Sequence, residues 1–491
     1  MKNLLPLAVI AFFPTAAAVS AACVQLDITT TTAAGSVGPH FASWNIDSSF
    51  DRLFFDIDWT NSQLLYLTKQ IGQSSHLRFG GTGNDFLYYE VGTAPTCKPT
   101  IAGEQCLNTT TYTGLVDLVV KSDTEFIFGL NIHPDTGKPS PPKGPWDNSN
   151  ARALLTDMKA RGIPIGYLEI GNEQNDLMTA IQQGQALEAV KTLAESIWTT
   201  NTPQFVGPDT HSIHDAGSSN SAILKYLADF ANYTSSFLHA ITHHEYIEID
   251  YKNVLNTTFL NESYLLGLQV VQAVRNVSST IEIWAGEIGP HNGGTLPSPN
   301  CADNRVCGKF GSSIWYADSM ASKALAGYQQ YCRQDLVGAD YALLNASTTS
   351  FNPSSDYYLL LLWHTLISTP GRTRILSVYS SDNNVRSYGY CPDEKATSVT
   401  LLLINLNPTS VCVDTPSFLK SGSDMTLYSL TPQDGTVESA LVTLNGVILS
   451  LDSSGKLPLL SGQSVKSIQL PAISINFVII PFETGSISAC V

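Results

Sequence analysis

Short apolar runs alternate with helical runs from Pro39 to about Arg372. The eight strand candidates are Phe41–Ile46, Ser75–Phe79, Glu125–Ile132, Ile165–Ile170, Gln204–Gly207, Phe237–Thr242, Thr280–Ala285 and Val337–Leu344. The helical runs include Ser62–Ile71, Asn150–Arg161, Met178–Thr199, Ala222–Ala231, Tyr264–Val274, Ile314–Tyr331 and Tyr357–Ser368. Eight strands that alternate with helices predict an α/β fold, the (β/α)8 barrel. A doubly wound sheet is the competing fold, but no glycine-rich dinucleotide-binding turn follows an early strand.

The pattern changes after about Arg372, where helical periodicity disappears. The β-rich runs that follow are Val399–Leu406, Met425–Leu430, Ala440–Leu451, Ser467–Leu470 and Ile473–Pro481. They predict an antiparallel β-sandwich domain. Residues 22–37 contain an isolated strand that could join this domain. We therefore expect a barrel over residues 38–370 and a sandwich over residues 371–491, packed firmly because no low-complexity linker separates them.

The N-terminus has the composition of a secretory signal peptide, which we place at residues 1–21. Lys2 supplies the positive charge, Leu4 to Phe13 form the short apolar core, and Val19-Ser20-Ala21 offers a cleavage site. No later run is long and apolar enough to span a membrane. We expect a soluble, extracellular protein. The N-x-S/T triplets, which are candidate glycosylation sites, begin at Asn108, Asn232, Asn256, Asn261, Asn276 and Asn345.

Nine cysteines fit an oxidising compartment, and the odd number leaves at least one thiol free or intermolecular. Cys97 with Cys106, and Cys301 with Cys307, are close enough in sequence to close small loops. Cys23 and Cys412 form a possible pair, since both belong to the β domain. Cys332 lies in a helical run and is expected to be a buried thiol.

The formal net charge of −16 disfavours polyanions such as nucleic acid as partners. No basic run of the kind that follows a phosphate backbone is present. No C-x-x-C motif or Cys/His cluster has the spacing of a zinc site, so we predict no structural metal and no cofactor. The oligomeric state is left open by the sequence.

Two apolar strand candidates end in a carboxylate. Ile281–Ala285 leads to Glu287, and Ile165–Ile170 leads to the pair Asn172-Glu173. Each glutamate alone could be a salt-bridged core residue. Two carboxylates at two strand ends are what acid/base or nucleophilic chemistry on a glycosidic bond requires, and a barrel would gather them on one face.

Other polar groups follow neighbouring strand candidates. Arg78 lies near the end of one such strand, before Gly80-Gly81-Thr82, and could keep a carboxylate ionised. The double glycine would let the backbone approach a ligand closely. His243 and His244 should point to opposite faces of their strand, one packing and one lining the site. Glu245 is interpreted as solvated or structural, and Asp209 and His211 are weaker candidates. The absence of a G-x-S-x-G turn disfavours a serine hydrolase.

Three motifs together resemble glycoside hydrolase family 79, the family of heparanase and microbial β-glucuronidases. They are Leu168-Glu169-Ile170-Gly171-Asn172-Glu173, Trp284-Ala285-Gly286-Glu287 and Arg78-Phe79-Gly80-Gly81-Thr82-x-x-Asp85-Phe86-Leu87. The resemblance implies a retaining β-glucuronidase of exo or endo type, in which Glu173 is the general acid/base and Glu287 the nucleophile. It also implies a Cys391–Cys490 disulfide.

The resemblance further assigns substrate-binding roles. Asn172 would hold the sugar 2-hydroxyl, Tyr246 the nucleophile, and Asp47 another sugar hydroxyl. The resemblance also places Arg78, Thr82 and His244 in the substrate-binding site. The uronate carboxylate would be bound by Gly293, Gly294 and Tyr341.

The expected substrate is a carbohydrate that ends in β-linked glucuronic acid, with or without 4-O-methylation. Heparanase has a lysine where Gly83 stands, and the acidic net charge would repel a sulfated chain. These departures favour an exo-acting enzyme over a heparan-cleaving endo-enzyme. A non-catalytic sugar-binding relative would lack one carboxylate, whereas both are present.

Overall fold

A computed structural model gives the fold. It describes residues 22–49, 53–92, 94, 96–97, 105–133, 145–213, 220–292, 306, 308–347, 349–368, 371–392, 397–483 and 485–490. The predicted signal peptide, Gly293, Gly294, Cys301 and Cys307 lie outside these residues.

The N-terminal two thirds of the chain alternate strands and helices as predicted. In chain order, the strands are β1 (Leu26–Ile28), β2 (Gly35–Val37), β3 (Ala42–Asp47), β4 (His76–Gly80), β5 (Leu87–Tyr89), β6 (Gln105–Leu107), β7 (Glu125–Leu130), β8 (Ile165–Ile170), β9 (Gln204–Ile213), β10 (Leu238–Tyr246), β11 (Glu282–Gly289), β12 (Gln330–Arg333), β13 (Leu344–Ala346) and β14 (Phe351–Pro353). The helices are α1 (Ser62–Gly72), α2 (Thr109–Ser122), α3 (Ser149–Arg161), α4 (Ala180–Ile197), α5 (Ser221–Thr234), α6 (Thr257–Arg275), α7 (Phe310–Ala326) and α8 (Ser355–Leu366).

Eight parallel strands close the barrel, in the order β3, β4, β7, β8, β9, β10, β11, β12 and back to β3. Their residues are almost all buried, because the barrel interior lies on one side of each strand and the helices cover the other. The predicted (β/α)8 barrel is confirmed. The carboxyl ends of all eight strands meet at one rim, where Asp47, Gly80 and Glu287 lie.

The predicted eighth strand, Val337–Leu344, is wrong. Gln330–Arg333 is the eighth strand, and residues 334–343 form a buried loop on the rim. This strand has four residues of mixed polarity, so no apolar run indicates it. The predicted helix Ile314–Tyr331 also overlaps its first two residues. Gly327, at a φ of +104°, ends α7 before that strand begins.

The C-terminal region contains β strands. They are β15 (Thr373–Leu376), β16 (Val378–Ser380), β17 (Val385–Cys391), β18 (Ser398–Asn405), β19 (Val411–Val413), β20 (Met425–Pro432), β21 (Val442–Leu444), β22 (Val447–Ile448), β23 (Gln463–Val465), β24 (Ile468–Leu470) and β25 (Ser474–Pro481). Nine strands, β2 among them, form one antiparallel sheet. The pairs β1–β16 and β19–β24 form a second, smaller layer. Residues 22–37 thus contribute two strands to this domain.

The run of apolar residues in β18 reflects burial on both faces of the main sheet. Leu401 and Leu403 pack into the core beneath the smaller layer. Leu402 and Ile404 join the large core shared with the barrel. The barrel and the sandwich therefore have a continuous hydrophobic core, and the two domains pack firmly as expected.

Three disulfides are present among the described residues, Cys97–Cys106, Cys391–Cys490 and Cys23–Cys412. All three confirm the sequence-based pairs. Cys332 is a buried free thiol, as predicted, although it lies in β12 and not in a helix. In the described part of the chain no helix is long and apolar enough to cross a membrane.

Candidate active site

Glu287 is held on both of its carboxylate oxygens at the end of β11. The Tyr246 hydroxyl donates to Oε1 at 2.5 Å, and Arg78 Nη1 donates to Oε2 at 3.0 Å. A bulge in the β10–β11 pairing precedes Glu287, because His243 pairs with Ala285 and His244 with Glu287, which leaves Gly286 unpaired. A side chain at Gly286 would collide with the Asp209 carboxylate. The bulge aims Glu287 at the centre of the rim.

Glu173 faces Glu287 from the end of β8. Its backbone has a φ of +55°, which is rare for a residue with a side chain, and its N–H donates to the Asp209 carbonyl oxygen at 2.8 Å. His244 Nδ1 lies 2.8 Å from Glu173 Oε1. One carboxyl oxygen of Glu173, one ring nitrogen of His244 and one carboxyl oxygen of Glu287 all lie within 4.8 Å of one another. The side chain of Glu173 is 31% exposed, so its carboxyl group is open to a substrate.

Arg78 connects the strands that carry Glu173 and Glu287 beneath the rim. Its guanidinium is fully buried and donates to Glu169, Glu287 and Asn172, with Asp209 at 3.4 Å. The space above Gly80 and Gly81 is filled by the Arg78 guanidinium and the Asp47 carboxylate. The double glycine therefore makes room for side chains of the site itself, whereas the sequence predicted close approach of a ligand.

The adjacent histidines divide their roles as predicted. His243 packs outward against the Tyr328 hydroxyl, with its Nε2 at 2.7 Å. His244 faces the rim, where it contacts Glu173, Asp209 and Glu287. Burial lowers the pKa of His244, but the three carboxylates outweigh burial and raise this pKa to about 10. His244 is therefore a cation at neutral pH.

Two further carboxylates lie under the site, and their environments push their pKa values apart. Burial raises the pKa of Glu169 well above its ordinary value, in spite of Arg78. Burial also acts to raise the pKa of Asp209, but Arg78, Glu169 and His244 lower it below its usual range.

The remaining predicted residues lie around this centre. Asp47 accepts hydrogen bonds from Ser49 and from Gln334 Nε2, the latter at 2.8 Å. Tyr341 packs in a cluster with Tyr246 and Ala339, which places it on the Glu287 side. Thr82 is exposed at the rim. The predicted carboxylate ligands Gly293 and Gly294 lie outside the described residues.

Sequence reasoning missed several members of the site. The sequence pattern does not identify Glu169 or Gln334. It also makes Asp209 only a weak candidate, whereas β9 runs on to Ile213 and places Asp209 inside the barrel. A carboxylate within an apolar strand was the available signal for Glu169. Glu245 is not solvated. It is buried and bonded to Lys323 Nζ at 2.5 Å, so only the structural interpretation holds.

Glu173, His244 and Glu287 could also hold a cation by geometry alone. The two carboxyl groups that such an ion would neutralise are already paired with cations, Glu287 with Arg78 and Glu173 with the charged His244. The expectation that the enzyme uses no metal stays a prediction.

The barrel and its rim correspond to a known enzyme family. The model of the glycosyl hydrolase family 79 N-terminal domain matches residues 42–321, more than half of the chain. The chain belongs to glycoside hydrolase family 79. Relatives include heparanase-like protein 3 of Arabidopsis thaliana, 26% identical over 82% of this chain and 80% of the relative. The baicalin-β-D-glucuronidase of Scutellaria baicalensis is 27% identical over 89% and 86%, and the heparanase of Mus musculus is 25% identical over 95% and 94%.

Solved structures share the architecture of this family 79 chain. A 4-O-α-L-rhamnosyl-β-D-glucuronidase from Fusarium oxysporum 12S superposes with a TM-score of 0.62 at 13% identity, covering 93% of this chain and 100% of that one. A GH51 arabinofuranosidase from Xanthomonas axonopodis pv. citri gives 0.65 at 12% identity, covering 93% and 99%. At these identities the likeness shows the fold alone. Family membership makes the chain a glycoside hydrolase with glucuronidase and heparanase relatives.

Proposed function

We propose that the protein is a retaining exo-β-glucuronidase. The observation that carries the mechanism is the separation of its two carboxylates, since an oxygen of Glu173 and an oxygen of Glu287 lie within 4.8 Å. Retaining enzymes have their carboxyl groups about 5–5.5 Å apart, whereas inverting enzymes need roughly 6.5–9.5 Å to admit a water.

In the first step, a Glu287 oxygen attacks the anomeric carbon, and Glu173 protonates the departing glycosidic oxygen. In the second step, Glu173 takes a proton from a water that attacks the same carbon, and the bond to Glu287 breaks. The contacts of Arg78 and Tyr246 fit Glu287 as an ionised nucleophile. Arg78 also donates to Asn172 Oδ1, which leaves the NH2 group of that amide for the sugar 2-hydroxyl.

Tyr341, which the family resemblance assigns to the uronate carboxylate, is buried beside Tyr246 on the Glu287 side of the rim. Two other features support the exo assignment. Gly83 is buried, and a side chain there would collide with the Ser48 carbonyl group. A cation for a sulfate group therefore cannot be placed at Gly83 without moving the backbone. The net charge of −16 also opposes a polyanionic chain.

The experiment has two readouts. An NMR time course on p-nitrophenyl β-glucuronide should show β-glucuronic acid as the first product, and the α anomer first would overturn the mechanism. The substrate comparison uses glucuronate-capped arabinogalactan and heparan sulfate. Release of monomeric glucuronic acid from the former supports the exo assignment. Depolymerisation of heparan sulfate without that monomer would support the second candidate, a heparanase-like endo-enzyme, which the heparanase relatives favour.

We also infer that the chain is exported. The three disulfides support this inference, because such bonds persist in oxidising compartments. Asn261 is the least accessible of the candidate glycosylation sites, since its Oδ1 accepts from Arg386 Nη1 at 2.7 Å between the barrel and the sandwich. Five sites have exposed side chains in the structure: Asn108, Asn232, Asn256, Asn276 and Asn345. Mass spectrometry of the secreted protein tests both expectations.

A further inference from the structure

We propose that Asp85 is a positioning residue for the general acid/base, Glu173, and that it acts through the backbone of Asn172. The inference rests on the proposed retaining mechanism. Asp85 is 1% exposed, so it lies beneath the site and does not touch the substrate.

Asp85 holds the turn that carries Glu173 at two points. Its Oδ1 accepts the backbone N–H of Asn172 at 2.7 Å, and its Oδ2 accepts Gln174 Nε2 at 2.7 Å. Gln174 Nε2 in turn donates to the Asn172 carbonyl oxygen at 2.9 Å. One carboxylate therefore fixes the residues immediately before and after Glu173.

Asp85 is itself rigidly mounted. The neighbouring Asn84 donates to the carbonyl oxygens of Phe79 and Gly129, at the ends of β4 and β7. On the other side, the His133 N–H donates to the Asp85 carbonyl oxygen at 2.8 Å, and His133 Nε2 lies 2.9 Å from Gln174 Oε1. The turn at Glu173 is thus tied through Asp85 to two other barrel strands.

This support matters because the turn is not one that the chain would adopt freely. Gly171 and Glu173 both have positive φ, +72° and +55°, and a glutamate rarely adopts that conformation without external restraint. From the opposite side, the Asp209 carbonyl oxygen accepts the Glu173 N–H. Without Asp85, the turn can relax and move the Glu173 carboxyl group away from the glycosidic oxygen.

A misplaced acid has a specific kinetic signature. A good leaving group such as 2,4-dinitrophenolate departs without protonation, whereas an alkoxide needs the proton from Glu173. Loss of Asp85 should therefore reduce kcat/KM strongly for glucuronides with poor leaving groups and weakly for those with good ones. General damage to the fold would reduce kcat/KM equally for both.

The test compares kcat/KM across aryl and alkyl glucuronides of graded leaving-group pKa. In Asp85→Ala we expect roughly a 100-fold loss for the alkyl glucuronide and about threefold for the dinitrophenyl one. Asp85→Asn keeps an oxygen for the Asn172 N–H and should recover part of the loss. Asp318→Ala removes a buried carboxylate that pairs with Arg386 between α7 and β17, and it should leave the leaving-group dependence unchanged.

An equal loss for all substrates in Asp85→Ala would overturn the proposal, as would an Asn variant with the full alanine defect. If Asp85→Ala does not fold, Gln174→Met is the alternative variant, because it removes one of the two hydrogen bonds of the Asp85 carboxyl group. It should steepen the dependence of kcat/KM on leaving-group pKa, but less than Asp85→Ala. Absence of glucuronidase activity in the wild-type enzyme would instead show that the proposed function itself is wrong.

Discussion

At the scale of single residues, the Glu287 carboxyl group accepts hydrogen bonds from two donors on different strands. Tyr246→Phe removes the hydroxyl bonded to Oε1 and leaves Arg78 in place. A hydrogen bond to a charged group contributes about 1.5–3 kcal/mol, so kcat/KM on p-nitrophenyl β-glucuronide should fall roughly ten- to a hundred-fold. Tyr328→Phe is the matched control, because that hydroxyl bonds His243 on the outward face of the same strand. Equal losses in the two variants would contradict the assignment.

His244 should make stability depend on pH. Its pKa of about 10 in the folded protein lies above the value near 6.5 of an unfolded chain. The stabilisation is then complete below about pH 6.5 and is lost as the pH rises toward 10. The difference in Tm between wild type and His244→Asn should therefore shrink over that range.

His243→Asn is the control for this measurement. Burial lowers the pKa of His243 to about 3, so His243 is neutral in both states above about pH 6.5. Its effect on Tm should be constant between pH 6.5 and 10. A constant difference for His244→Asn as well would show that His244 is neutral in the folded enzyme.

At the scale of elements, β10 divides two tasks between its faces. His244 and Tyr246 face the rim, while His243 and Glu245 face the helices outside the barrel. Glu245 is bonded there to Lys323 of α7 and to Ser263 of α6. Lys323→Met leaves a buried carboxylate without its cation, and this should cost about 3–5 kcal/mol in urea unfolding.

The exposed pair Lys225–Asp229 within α5 provides the comparison for Lys323. Lys225→Met should change the free energy of unfolding by less than about 0.5 kcal/mol. If both substitutions had equally small effects, the Lys323–Glu245 pair would not anchor β10 to the helices.

The same elements show how far the sequence could predict the structure. Seven barrel strands were predictable because burial on both faces makes them apolar runs, and Glu173, Glu287 and Arg78 were predictable because they lie at or beside the ends of such runs. The strand Gln330–Arg333 had no such run. The roles of Glu169 and Asp85 depend on partners 91 and 87 residues away, Arg78 and Asn172, and no local pattern contains that information.

At the scale of the whole molecule, two of the three described disulfides lie in the sandwich, whereas the barrel has Cys97–Cys106 and one buried free thiol, Cys332. Burial raises the pKa of Cys332 to about 12, which removes its reactivity at neutral pH. With six cysteines in the three bridges and Cys301–Cys307 predicted as a fourth, one thiol remains of nine. Ellman's reagent should detect no thiol in the native enzyme and one in guanidinium chloride. Three thiols on unfolding would refute the Cys301–Cys307 pair.

The first described strand, β1, depends on partners in the C-terminal domain. Cys23 is bonded to Cys412, 389 residues later, and β1 pairs with β16. A ribosome adds about 5–20 residues per second, so the Cys23 thiol waits roughly 20–80 s for its partner. Cys97 and Cys106 emerge long before Cys412 and are available for mispairing meanwhile. Closure of the N-terminal segment onto the sandwich must therefore be one of the last steps of biosynthesis, after the barrel between them has been made.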